Sequence, residues 1–195
     1  MSSSEKNDFL ISGPVQGKEA LEDVFHDLIA GVLGLPGQLV RPTSQLYGVK
    51  APGDEVDWCA FDVRQLGAAG GTAEITHVPD AQNGHDRLVT HKPVQVLLYF
   101  YGPGASELAD ALVDGLQVEQ NRAILRKNNM GFVNAGPQVA VPENRNAKWL
   151  ARTDLTLNFN RQVTREYAVK DISSVSGGII TDKHGGPGVR IDVQE

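Results

Sequence analysis

An α+β fold is what this sequence predicts: a twisted, mainly antiparallel sheet with two main helices packed on one face, plus long strand or hairpin extensions. Two stretches carry that expectation. From Pro93 to Tyr101, Val94, Val96, Leu98 and Phe100 fall on one face and Gln95, Leu97, Tyr99 and Tyr101 on the other, the period of two of a strand. After Gly102-Pro103-Gly104 the period changes, and Ala105, Leu108, Ala109, Leu112, Val113 and Leu116 form one apolar helical stripe. Farther on, Leu155, Leu157 and Phe159 alternate with Asp154, Thr156 and Asn158. Half-polar strands suit an antiparallel sheet with a helix layer on one face.

The first helix is expected over Lys18–Leu33, where Leu21, Val24, Phe25, Leu28, Ile29, Val32 and Leu33 make the stripe. Glu19, Glu22 and Asp23 lie in its early turns, where negative charge suits the helix dipole, and Gly34-Leu35-Pro36-Gly37 ends it. A short strand over Gln38–Arg41 and a loop over Pro42–Asp54 follow. Asp57–Arg64 reads as a strand, with Trp58, Ala60 and Asp62 against Cys59, Phe61 and Val63. A turn at Gly67–Gly71, a short strand over Ala73–Val78 and a turn at Pro79–Gly84 lead to a long central strand from about Leu88 to Tyr101. Glu119–Lys127 reads as a helical piece ending at Asn128-Asn129. Short strands are expected around Phe132-Val133 and at Val139–Val141.

Trp149–Tyr167 reads as a long strand or a strand pair, beyond the usual length of about five or six residues. Strands of that length often project past a core as a hairpin or into a neighbour. Val175–Glu195 holds Ile179-Ile180 and Val189-Ile191-Val193 on either side of a Gly-rich turn, the pattern of a terminal hairpin. The chain thus divides into an N-terminal arm (1–16), a single α+β domain (17–172) and a Gly-rich C-terminal arm or hairpin (173–195).

The 195 residues suffice for one domain plus an arm. The net charge of −6, from 24 acidic and 18 basic residues, argues against a chain whose main task is gripping nucleic acid, because neutralising phosphates takes an excess of Lys and Arg. It is compatible with an acidic channel through which DNA slides. Cys59 is the only cysteine, so there is no intrachain disulfide and no thiolate zinc cluster, and a reducing cytoplasm is the natural compartment. The first residues lack the positive region and apolar run of a signal peptide. No apolar run approaches the ~20 residues that cross a bilayer, so no membrane role is expected.

Several residue groups could carry chemistry. Gly102-Pro103-Gly104 before a helix could cradle a phosphate on free amides, yet no Lys-Ser/Thr follows as a nucleotide-binding loop needs. A chain-reversing turn explains it better. Gly185-Gly186-Pro187-Gly188 precedes a strand and is a weaker candidate. His77, His85 and His91, with Asp80 and Asp86, could form a metal site if two strands converge, but they lie in a polar stretch that suits exposed histidines. His184 lies in the Gly-rich turn. His26 sits on the polar side of the first helix and needs no role. Cys59, between Trp58 and Ala60 in a strand, reads as a buried, inert thiol. Arg122, Arg126 and Lys127 could touch DNA or an acidic partner, with a solvated helix face as the default. Trp58, Trp149, Tyr47, Tyr99, Tyr101 and Tyr167 divide between core and interface anchors. Arg152 and Asp154 could pair across the sheet or across a subunit boundary. No catalytic residue, cofactor or metal ligand is assigned.

A hydrophobic strand ending in Tyr101-Gly102, a short Gly/Ala-containing turn, an amphipathic helix, and later the strand Ala151-Arg152-Thr153-Asp154-Leu155-Thr156-Leu157 resemble the neck or tail-terminator proteins of long-tailed bacteriophages. The resemblance covers most of residues 18 to 170, including the opening helix and Leu39-Val40-Arg41-Pro42. It implies a structural virion subunit, not an enzyme, that forms a homo-oligomeric ring, usually of six copies. Such a ring sits on the last ring of the tail tube, stops tube growth and offers a surface to the head-completion or connector protein. Sheath protein is a further neighbour if the tail is contractile, and DNA only passes through the lumen. The implied location is the tail or neck of the virion, assembled in the host cytoplasm. Candidate interface residues are Arg152, Asp154, Tyr167, Ile179, Val189, Ile191 and Val193. The alternatives are a head–tail connector or tail-completion protein and, from another class, a small metal-dependent hydrolase using His77, His85 and His91.

Overall fold

The computed structural model describes residues 5–6, 9–45, 49–67, 73–80, 84–145, 147–169, 175–179 and 189–193. Its strands are β1 (Glu5–Lys6), β2 (Phe9–Leu10), β3 (Val40–Pro42), β4 (Trp58–Gln65), β5 (Glu74–Val78), β6 (His85–Tyr101), β7 (Met130–Ala135), β8 (Val139–Ala140), β9 (Glu143–Arg145), β10 (Lys148–Leu150), β11 (Arg152–Ala168), β12 (Val175–Ile179) and β13 (Val189–Val193). The helices are α1 (Lys18–Leu33), α2 (Ala105–Gly115) and the short α3 (Ala123–Lys127). The chain divides into two compact units. The larger comprises Val15–Ala73 and Val89–Val163, the smaller Met1–Pro14, Glu74–Leu88 and Thr164–Glu195.

The main sheet has seven strands in the order β3-β4-β6-β11-β7, with β5 also on β6 and β8 also on β11. β4 and β6 run antiparallel, pairing Cys59 with Phe100, Phe61 with Leu98 and Val63 with Val96. β11 is antiparallel to β7 and β8, and the short β3 lies parallel to its neighbour β4. The fold is therefore α+β with a mainly antiparallel sheet, as the half-polar strands require.

One hydrophobic core fills the larger unit. Leu21, Phe25, Leu28 and Ile29 of α1 and Ala105, Ala109 and Leu112 of α2, with Leu116 just beyond it, meet Val94, Val96, Leu98 and Phe100 of β6 and Leu155, Leu157 and Phe159 of β11. Phe159 is gripped by Phe25 and Phe132, with ring centroids 4.9 and 5.6 Å away in tilted arrangements. Each such side chain contributes about 1.5–3 kcal/mol on burial. α1 ends at Gly34, whose positive φ of 65° lets its amide return to Ala30 O.

The faces of β4 alternate as expected, but its start is buried on both: Trp58, Cys59, Ala60 and Phe61 are all covered. Trp58, on the face away from the helices, stacks on Tyr101 at 4.4 Å and 10°, so that face is covered there as well. The helical piece expected over Glu119–Lys127 is an α-helix only from Ala123; the residues before it run through turns, with Asn121 N donating to Val118 O and Ala123 N to Gln120 O. Of the two readings of Trp149–Tyr167, two strands are seen, broken at Ala151, with β10 turning back on β9, which was not expected, through Lys148–Arg145, Trp149–Asn144 and Leu150–Glu143.

Candidate assembly surfaces

Arg152 and Asp154 are two residues apart on β11 and therefore on one face. The Arg152 Nε donates to Asp154 Oδ1 at 2.7 Å and Nη2 to Oδ2 at 2.8 Å, a bidentate pair within one strand. Nη1 reaches Glu143 Oε2 of β9 at 3.4 Å. The guanidinium carbon lies 4.9 Å from the Tyr99 ring centroid and 5.9 Å from that of Tyr101, within cation–π range. Its bond to Asp154 holds the Arg152 guanidinium above its usual range. Trp58, Tyr101, Tyr99 and Arg152 thus form a stack on the outer sheet face, and the charged end of that stack ties down the β9–β10 hairpin. Lys148 adds a second tie, 3.3 Å from Asp54 and 3.6 Å from Glu55. The anchored hairpin carries Trp149, which is 69% exposed, the most exposed of the large hydrophobic side chains described.

The Gly102-Pro103-Gly104 turn binds an anion, and that anion belongs to the chain. Asp57 Oδ1 accepts the Gly104 amide at 2.8 Å, just ahead of α2. Gly102 has a φ of +107°, and a Cβ there would lie 2.7 Å from Val56 O and 2.8 Å from Asp57 Cα. A carboxylate at a helix N-terminus offsets the dipole, so the turn reading is right and the amide is already satisfied.

Among the described residues no group of three His, Cys, Asp or Glu side chains could hold a metal ion. His77 Nδ1 is 2.8 Å from Asp86 Oδ1 in the smaller unit. His85 and His91 sit on β6, His91 exposed. His26 does have a role: it spans from Asp27 to Gly37 O, both at 3.1 Å, and ties α1 to the turn after it. Burial pushes the Cys59 thiol well up, away from reactivity. Arg122 and Arg126 both pair with Glu119. Tyr47, His184 and Gly185–Gly188 lie outside the described residues.

In the smaller unit, Tyr167 lines an apolar groove of about 290 Å³ with Leu10, Ile75, Leu88 and Asp86. β12 and β13 pair antiparallel as a separate two-stranded sheet, with Ile179 opposite Val189, Gly177 opposite Ile191 and Val175 opposite Val193.

Sequence reading missed Arg161. Continuing the core alternation of β11 past Phe159 by two residues lands on it, and it is only 5% exposed. Nη2 reaches Gln16 Oε1 at 3.2 Å, and Nη1 and Nη2 reach Gln16 O at 3.4 and 3.5 Å. Nε has no partner. Burial holds its guanidinium below the usual range. The signal was an arginine at a core-phase position, visible had the alternation been followed farther.

Among the described residues none of these surfaces brings together a converging acid, base and nucleophile; they comprise an exposed aromatic side chain, a groove and a buried charge. A search of curated proteins gave no match. A family model described as phage neck terminator protein matches residues 19–183.

Proposed function

The chain belongs to the phage neck terminator protein family, and we propose that it is the subunit of a ring, of six copies, that caps the tail tube and joins the tail to the head connector. The observation that carries this reading is the extent of the match. It spans both main helices, all seven strands of the main sheet and part of the C-terminal hairpin. As a member of that family the chain is a structural component of the phage neck that meets other tail and head proteins.

Capping then works by templated binding. One ring face matches the growing end of the tube. The other matches the head-completion ring and gives the next tube subunit nothing to pair with. No chemical step is needed, and the chain works without catalysis, metal or cofactor. Head-to-tail contacts that close on themselves make such rings. We assign these contacts to the β9–β10 hairpin, with Trp149 as anchor and Arg152 and Asp154 as its brace, to the groove at Tyr167, and to the C-terminal arm with Ile179, Val189, Ile191 and Val193. If the tail is contractile, sheath protein is a further neighbour, and DNA passes through the lumen. Residues 1–16 and 173–195 then act as arms on the α+β domain, in the neck of a virion assembled in the host cytoplasm.

Light scattering of the purified chain, alone and with tail tubes, tests the reading. A particle of six times the 21.0 kDa chain is expected. A monomer under both conditions rules it out.

A further inference from the structure

Arg161 is a buried cation that no carboxylate among the described residues neutralises. What covers it is exposed and neutral: Gln16, next to Gly17, where an added Cβ would meet nothing within 4 Å. The bonds from Arg161 to Gln16 are long, at 3.2–3.5 Å, and its Nε has no partner among the described residues. A buried charge in that state is costly, and a carboxylate in place of the amide would make shorter, charge-assisted bonds. The same unit carries unpaired carboxylates elsewhere. Glu107 and Asp114 are exposed on α2, a helix with no basic residue, and neither is in an ion pair with a described residue.

We propose that Arg161 is an assembly site, which takes a carboxylate from the acidic face of α2 in a second copy of the chain once Gln16 moves aside. Donor and acceptor lie on different elements, β11 and α2; in a closed ring each copy would give its α2 to one neighbour and its Arg161 to the other, a head-to-tail contact. The segment at Gln16 is the placeholder that covers the guanidinium until a neighbour arrives. The proposal rests on the ring reading and names one of its contacts.

Three variants of the full chain test it, with melting and sedimentation as readouts. Gln16→Glu supplies the missing counter-ion within the chain. Its melting midpoint should rise by about 2–4 °C, and its assembly constant should fall at least about tenfold, since a satisfied arginine has no need of a neighbour. Glu107→Gln with Asp114→Asn should melt as the wild type and lose assembly to a similar extent. Arg161→Met should fold with an unchanged or raised midpoint and fail to assemble. If Arg161→Met does not fold, the other two variants decide. A lowered midpoint for Gln16→Glu, or wild-type assembly by either Gln16→Glu or the α2 double variant, overturns the site while leaving the ring intact. A wild-type chain that never assembles overturns both.

Discussion

Replacing Gly102 with alanine should cost far more than a single methyl group suggests. The residue sits at φ +107°, a region that a residue with a Cβ adopts only at about 1–3 kcal/mol. The new Cβ would also come 2.7 Å from Val56 O and 2.8 Å from Asp57 Cα, and closer still to Asp57 Oδ1. Asp57 must then swing away and give up its 2.8 Å bond from the Gly104 amide. A hydrogen bond to a charged group contributes about 1.5–3 kcal/mol. The two effects together come to about 2.5–6 kcal/mol, a large part of the total stability of a domain. Urea unfolding reads this as a fall in midpoint at unchanged slope. Asp57→Ala alone should cost about 1.5–3 kcal/mol, and the double variant less than the sum, because both changes remove the same bond. A Gly102→Ala protein within 1 kcal/mol of wild type, or strict additivity, would refute the reasoning.

Trp149→Ala should leave unfolding within about 0.5 kcal/mol of wild type, as an exposed site does, while weakening assembly; equal assembly in sedimentation counts against the hairpin as a contact. Burial alone would push the Asp62 carboxyl up, but hydrogen bonds from Arg64 and Lys18 bring it below its usual range, and the bond to Asp62 raises Lys18. A depressed carboxyl stabilises above its unfolded value of about 3.9 and loses that as pH falls through the folded value. A raised lysine stabilises below about 10.4 and loses that as pH rises through its folded value. The stability gap between wild type and Asp62→Asn should therefore span about pH 4 to 10, at no more than about 1 kcal/mol for a pair whose lysine is exposed, and vanish in acid; a gap that persists at pH 2 contradicts it. Cys59 should resist alkylation in the native protein and react only at the rate of unfolding; fast labelling without denaturant would show that burial does not protect it.

What was legible in the sequence was what repeats. β6 and α2 could be read because Val94–Phe100 and Ala105–Leu116 each keep one period and meet the same core. α1 runs from Lys18 to Leu33, as its stripe and the Gly34 stop imply. The outer face of β4 was illegible because Trp58 is covered by a residue more than forty positions away, Tyr101, and β9, Glu143–Arg145, is too polar and short to announce itself. Asp57 as the acceptor of the Gly104 amide depends on the same long-range closure. The candidate interface residues were legible in part: Arg152 and Asp154 were singled out, but nothing local says that they pair with each other and brace a hairpin, or that the exposed member of that hairpin is Trp149.

Electron microscopy of tail tubes polymerised with and without the chain asks whether this neck terminator ends them. A ring at one end of each tube is expected, with tubes that stop growing once it is bound. Tubes that lengthen unchanged, with the chain absent from their ends or attached elsewhere on the virion, would contradict it.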